Sequence, residues 1–376
     1  MTAASDGRSW QPGDDPGGRQ LARLDPGPGG LVLEAGGVLP EVTVAYETWG
    51  TLDGSRSNAV LVLHALTGDS HANGPAGPGH PTPGWWDELI GPGRAIDTDR
   101  WFVVSPNVLG GCQGTTGPSS SAPDGAPWGS RFPRLTIRDQ VAAEVLLADH
   151  LGIDRWAGVV GGSMGGMRVL EWCVGHPDRV MRGAVLAVGA AASAEQVALC
   201  SLQCRAIRLD PAFAGGDYYG SGAAPVDGMA LARGVGQLSY RTEAEFAERF
   251  DRTPQGDEDP LTGGRFAVES YLEYQGEKLA ARFDPNSYLV LSEAMNSHDV
   301  GRGRGGVAAA LARVTAEVVV AGIDSDRLYP LGLQAELAEL LPGDHPLTVI
   351  RSRFGHDGFL LESEQAGAVV ARALLA

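Results

Sequence analysis

Short apolar runs alternate along this chain with longer stretches of helical spacing. Ala59–Leu63 (AVLVL), Trp101–Val104, Trp156–Val160, Val180–Val188, Glu317–Ala321 (EVVVA) and Leu347–Arg351 are too short for buried helices and lack polar alternation. They read as strands buried on both faces of a parallel sheet. Arg138 to Gly152 places apolar residues at helical spacing and stops at a glycine, the usual C-cap. Gln334 to Leu341 is a second such helix. LVLEAG and EVTVAYETWG, after Leu31, alternate in strand fashion and suit an antiparallel edge. Strand–helix–strand alternation of this kind predicts an α/β domain, mostly parallel, with ligands at the strands' C-terminal ends.

Two segments break the pattern. Residues 1–30 are rich in Gly, Pro and Asp, and are expected to form a loosely attached tail. Residues 190–304 contain AEQVALCSLQCRAIRL, DGMALARGVGQLSYRT, EAEFAERF and FAVESYLEYQGEKLAARF, all helix-like, and no buried-strand run. The expected organisation is therefore an α/β core over 31–189 and 305–376, interrupted by a helical lid over 190–304.

The stretch WAGVVGGSMGGMRVLEWC, Trp156–Cys173, carries the chemistry. A strand runs straight into Gly161-x-Ser163-x-Gly165 and then into a helix, the setting of a nucleophile elbow. The sharp reversal holds the apex Ser163 in a strained conformation above the helix N-terminus, where developing negative charge is favoured. Such a serine needs a base and an orienting acid, following it in the order acid, then His. His356, in the Gly-flanked loop after the last strand, is the expected base. His298, in the helical segment, ranks second, and His64 at the end of an early strand suits a loop-shaping role. Asp326 is the preferred acid, with Asp324 as the alternative; both follow EVVVAG. Oxyanion donors are expected from the backbone N–H of Met164 and of Leu66 or Thr67.

Composition narrows the rest. A net charge of −17 argues against nucleic acid or an anionic membrane as partner. Lys278 is the sole lysine, in a polar stretch, and no Walker A motif occurs, so a pyridoxal Schiff base and a P-loop are both disfavoured. The four cysteines are too scattered for a disulfide scaffold, and Cys200 and Cys204 read as core thiols rather than metal ligands. Gly301-Arg-Gly-Arg-Gly-Gly306 matches G-x-G-x-x-G formally, but it follows no strand and is taken as a flexible loop. With no apolar leader and no run of membrane-spanning length, the expected location is the cytoplasm.

The longer motifs resemble the homoserine O-acetyltransferase family. These are His64-Ala-Leu-Thr-Gly68, Asn107-Val-Leu-Gly-Gly-Cys-Gln-Gly-Thr-Thr-Gly-Pro-Ser119, Gly161-Gly-Ser-Met-Gly-Gly-Met167, Asp326-Arg-Leu-Tyr-Pro330 and Gly355-His-Asp-Gly-Phe359. The resemblance runs from about residue 30 onward and implies an α/β-hydrolase fold with an inserted lid. It implies Ser163, Asp326 and His356 as catalytic residues, Arg233 for the homoserine carboxylate and Asp357 for its amino group. Acetyl-CoA is the implied co-substrate, with no permanently bound cofactor or metal, and a homodimer through the lids is implied. Arg168 departs from the family, which often has Gln there, and is expected to point along its helix. Rival readings are an esterase or thioesterase using water as acceptor, a sister transferase using succinyl-CoA or serine or acetylating a cephalosporin-type alcohol, and a catalytically inactive binding module. The intact Ser163, Asp326 and His356 argue against the last.

Overall fold

A computed structural model describes Trp10 and residues 13–375. Its strands are β1 (Gln20–Leu24), β2 (Leu31–Val32), β3 (Val38–Leu39), β4 (Val42–Trp49), β5 (Ala59–Leu63), β6 (Ile90–Gly91), β7 (Ile96–Asp97), β8 (Phe102–Pro106), β9 (Gly158–Gly162), β10 (Arg182–Leu186), β11 (Glu317–Ile323) and β12 (Thr348–Ile350). Eight of them form one sheet in the order β1-β4-β8-β5-β9-β10-β11-β12. The β1/β4 and β4/β8 pairs are antiparallel and all later pairs parallel. β2/β3 and β6/β7 are small separate pairs.

Every residue of β5 and β9 is buried. Because successive side chains point to opposite faces of a strand, Leu61, Leu63 and Val159 enter one core, while Val60, Val62 and Val160 enter the other. That two-sided burial is why these strands lack polar alternation. Helices α1 (Ile137–Leu151) and α2 (Met164–Gly175) lie on the first face. α1 carries a Thr136/Asp139 capping box and ends at left-handed Gly152 (φ 67°).

Between β10 and β11 the chain runs through α3 (Ala194–Leu209), α4 (Val226–Tyr240), α5 (Glu243–Arg249), α6 (Ala267–Ala280), α7 (Pro285–Asn296) and α8 (Val307–Leu311), with no sheet strand among them. α9 (Leu331–Leu340) joins β11 to β12. The short α10 (Gly358–Leu361) and α11 (Ser363–Leu375) close the domain, and α11 covers the second core.

The loose tail expected over 1–30 needs correction. Residues 20–24 form β1 at the sheet edge, where Ala22 and Leu24 are buried against the core. QLARL is a short alternating strand whose apolar positions are too few to stand out beside the flanking glycines and prolines. Residues 1–9 and 11–12 of that expected tail lie outside the described residues.

Candidate active site

β5 pairs with β9 so that Leu63 lies opposite Gly161. The loops that leave these two strands therefore emerge side by side, with His64–Thr67 next to Ser163. Ser163 sits at φ 56°, ψ −125°, a conformation that costs a non-glycine residue energy. Two glycines make the turn sterically feasible. A Cβ on Gly165 would lie 2.0 Å from Leu63 O, and one on Gly161 would lie 2.8 Å from the Gly165 backbone. α2 can thus start directly against the strands, and Met164, its first residue, has an N–H with no acceptor inside the helix.

The other two groups arrive from the same sheet edge. β11 and β12 end in register at Ile323 and Ile350, and the loops beyond them carry Asp326 and His356. Ser163 Oγ lies 2.9 Å from His356 Nε2, and Asp326 Oδ2 lies 2.6 Å from His356 Nδ1. Asp326 is fixed at its other oxygen, where Oδ1 accepts the N–H groups of Leu328 (2.8 Å) and Tyr329 (2.9 Å). The Tyr329 ring stacks on the imidazole, and Phe359 meets it edge-on. All three polar residues are buried, between 4% and 5% exposed. Burial lowers the pKa of His356, but the adjacent Asp326 charge and its hydrogen bond outweigh that, so the group ends above its ordinary value. Asp324, the alternative acid, faces elsewhere: its Oδ1 accepts Ser352 N–H and its Oδ2 meets Arg351.

A cleft of about 710 Å³, open to solvent, is lined by Leu66, Thr67, Ser163, Arg233, His356 and Asp357 among others. Its apolar wall comes from Leu199, Cys200, Met295 and Leu328. Cys200, expected in the core, therefore borders the cleft, while Cys204 is buried. The Arg233 guanidinium lies over the Tyr240 ring at 5.4 Å. Asp357 accepts a hydrogen bond from Arg241 at 3.1 Å, and Arg241 is held in turn by two bonds to Glu245 (2.7 and 2.8 Å). His298, the second-ranked base, is buried against Gly189 O, and burial holds its pKa down at about 4.

Arg168 does not point along its helix as expected. α2 is buried on every side, so no outward face is available to a charged residue. The guanidinium is fully buried, pairs with Glu144 (2.7 Å) and donates to His64 O. Neither Arg168 nor Arg241 could be placed from sequence, because each meets partners from distant segments.

Glu47, His71 and His80 lie with ligand-type atoms within 4.8 Å of one another, a grouping that sequence spacing did not single out. Most of their polar atoms are already engaged, His80 Nδ1 being buried without a partner. Glu47 accepts from Ser70 Oγ and His71 Nδ1, and His80 Nε2 accepts Gly18 N–H. The two imidazoles stack at 3.8 Å and 10°. The cluster ties the residues before β1 to the loop after β5.

A family model described as "alpha/beta hydrolase fold" matches residues 58–363. The chain is 61% identical over 363 residues to a homoserine O-acetyltransferase of Thermobifida fusca, covering 96% of this chain and 95% of that protein. It is 62% identical to one from Mycolicibacterium smegmatis, covering 92% and 91%. Among solved structures, a homoserine O-acetyltransferase from Bacillus anthracis superposes with TM-score 0.86 at 27% identity, covering 95% of this chain and 97% of that one. Esterase E22 superposes with TM-score 0.85, also at 27% identity, covering 95% and 99%.

Proposed function

We propose a residue-by-residue reaction path for this chain, which belongs to the homoserine O-acetyltransferase family within the α/β hydrolases. The enzyme is an acyltransferase that moves the acetyl group of acetyl-CoA to the hydroxyl of L-homoserine. The observation that carries the assignment of roles is the Ser163–His356–Asp326 hydrogen-bonded chain, set in a cleft that also holds Arg233 and Asp357.

His356 accepts the Ser163 proton as Oγ attacks the thioester carbonyl, and Asp326 stabilises the imidazolium that results. Leu66 or Thr67 and Met164 offer backbone N–H groups to the oxyanion. Collapse of the tetrahedral adduct expels the CoA thiolate, which takes the proton from His356 and leaves Ser163 acetylated. The homoserine hydroxyl then gives its proton to His356, attacks the acetyl carbonyl, and departs as the ester when Ser163 Oγ regains the proton. A zwitterionic acceptor needs a cation for its carboxylate and an anion for its ammonium. Arg233 and Asp357 supply these in one cleft, and Arg241 keeps the Asp357 carboxylate oriented. The helices between β10 and β11 form the cover that keeps water from the acyl-enzyme.

We assign the lids to a homodimer contact. Leu202 and Leu209 on α3, and Leu231 and Leu238 on α4, are exposed, and each pair is spaced to share one helix face. A second copy of the same surface is the self-complementary occupant. Among the described residues no helix is long and apolar enough to cross a membrane, and the small metabolic substrates support a cytoplasmic setting.

The test is CoA-thiol release from acetyl-CoA with and without L-homoserine, with succinyl-CoA and L-serine as controls. Release dependent on homoserine, preceded by at most one equivalent without it, supports ping-pong transfer. Steady release without any amino acid makes water the acceptor. Ser163→Ala is expected to abolish both phases while the protein stays folded.

A further inference from the structure

The N–H that receives an oxyanion must point into the cleft before substrate arrives, or part of its benefit is lost to reorganisation. In this structure the loop after β5 is held by a series of buried bonds that the reaction path does not use. Val108 N–H donates to His64 Nε2 at 3.0 Å, so the imidazole proton resides on Nδ1. That Nδ1–H meets Ala65 O at 2.7 Å, and Gly68 N–H meets the same oxygen at 3.0 Å. Ala65 C=O and Leu66 N–H belong to one peptide plane and point in opposite directions. Fixing the carbonyl therefore aims the Leu66 N–H. Two residues further on, Thr67 O accepts from Arg282 at 3.0 Å.

The preceding carbonyl, His64 O, accepts from Arg168. Arg168 stands on α2, the helix whose first residue is Met164. One buried side chain thus bridges the element carrying one oxyanion donor to the loop carrying the other. Its charge is matched by Glu144, which also accepts Trp172 Nε1–H at 2.7 Å. Burial pushes Glu144 up and Arg168 down, each against the other's attraction. An ion pair so buried is seldom the most stabilising way to fill its volume, since apolar replacements often do as well or better. Burial first, and the Arg168 charge second, hold His64 down at about 3, which keeps the imidazole neutral.

We propose that Arg168 and His64 act as a positioning pair that sets the Leu66 N–H, rather than the Thr67 N–H, opposite the Met164 N–H as the second half of the oxyanion hole. Neither residue touches the reacting atoms. The proposal rests on the reading of Ser163 as the nucleophile.

The test compares wild type with the paired variant Arg168→Met/Glu144→Gln, which removes the guanidinium without leaving an unpaired buried charge and keeps an acceptor for Trp172. Full removal of an oxyanion donor costs about 10²–10³ in kcat, so a donor that is misaimed rather than deleted should cost about ten- to a hundredfold. KM for homoserine and the melting temperature should change little. The affinity of an alkyl boronic acid, whose tetrahedral adduct on Ser163 places an anionic oxygen in the hole, should weaken by the same factor as kcat. A merely structural pair would move stability and leave both readouts near wild type, and that result would overturn the proposal. If the paired variant does not fold, His64→Phe, which deletes both the bond to Ala65 O and the one accepted from Val108 N–H, must produce the same parallel loss or the proposal fails. Ser163→Ala is assayed alongside. Retained transfer in that variant defeats the underlying nucleophile assignment, whereas inactive Ser163→Ala with a fully active paired variant defeats only the positioning role.

Discussion

Replacing Asp326 by Asn is an isosteric change, and the structure dictates which way the amide must sit. Oδ1 of Asp326 accepts two backbone N–H groups, from Leu328 and Tyr329, so the amide oxygen of Asn must occupy that position. The NH2 group then faces His356 Nδ1 and donates to it, which forces the imidazole proton onto Nε2. That nitrogen can no longer accept the Ser163 proton. Turning the amide over would set its NH2 against the two N–H donors and leave both unpaired, at about 1–3 kcal/mol each. A productive arrangement is therefore disfavoured by about 2–6 kcal/mol, and a value near 4 kcal/mol corresponds to about a 10³-fold loss in kcat. The same exchange in the serine-protease triad costs about 10⁴. The pH profile should move as well. Burial lowers the pKa of His356 and Asp326 more than restores it, so without the carboxylate the group falls below its ordinary value, and the acidic limb of kcat/KM shifts to lower pH. Thiol release at saturating acetyl-CoA and homoserine, from about pH 5 to 9, measures both effects, with Asp324→Asn as the control expected to keep its activity. An Asp326→Asn enzyme retaining more than about a tenth of wild-type kcat, or one whose acidic limb stays in place, would refute this account of the triad.

Other outcomes follow from the same geometry. Arg233→Gln removes a charged partner of the acceptor carboxylate, worth about 1.5–3 kcal/mol; kcat/KM for homoserine should fall about ten- to a hundredfold while the acetylation burst from acetyl-CoA persists. Gly165→Ala drives a Cβ to 2.0 Å from Leu63 O, a backbone clash that should cost about 1–3 kcal/mol or more, read as a lower urea midpoint together with lost activity. In His71, burial lowers the pKa but Glu47 raises it more, so its folded value lies above the unfolded one. Its contribution is then fully present below about pH 6.5 and is lost as the pH rises through the folded value. The difference in melting temperature between wild type and His71→Gln should accordingly be larger at pH 6 than at pH 9, and an equal difference would remove Glu47–His71 as a charged pair. Leu231→Glu, on the exposed face of α4, should convert a dimer to monomer in light scattering; an unchanged mass would move the contact elsewhere.

Local patterns were enough for much of the α/β core. Runs such as AVLVL and EVVVA could only be strands buried on both faces, and Gly161-x-Ser163-x-Gly165 between a strand and a helix marked the elbow, because strain, glycine spacing and periodicity are properties of adjacent residues. Chain order likewise pointed to His356. Which carboxylate faces it was undecided between Asp324 and Asp326 until the turn after β11 was seen to send one to the imidazole and the other to Ser352. Arg168 was misjudged because helical periodicity assumes an outward face, and α2 has none; only packing against α1 and the loop after β5 shows where its charge goes. β1 was missed because five residues carry too little pattern of their own and become a strand only by pairing with β4. Arg241, His64 and the Glu47 cluster share that character. Their roles depend on partners brought together by the fold from distant parts of the sequence, and side chains whose function lies in such contacts leave no periodic trace in the chain.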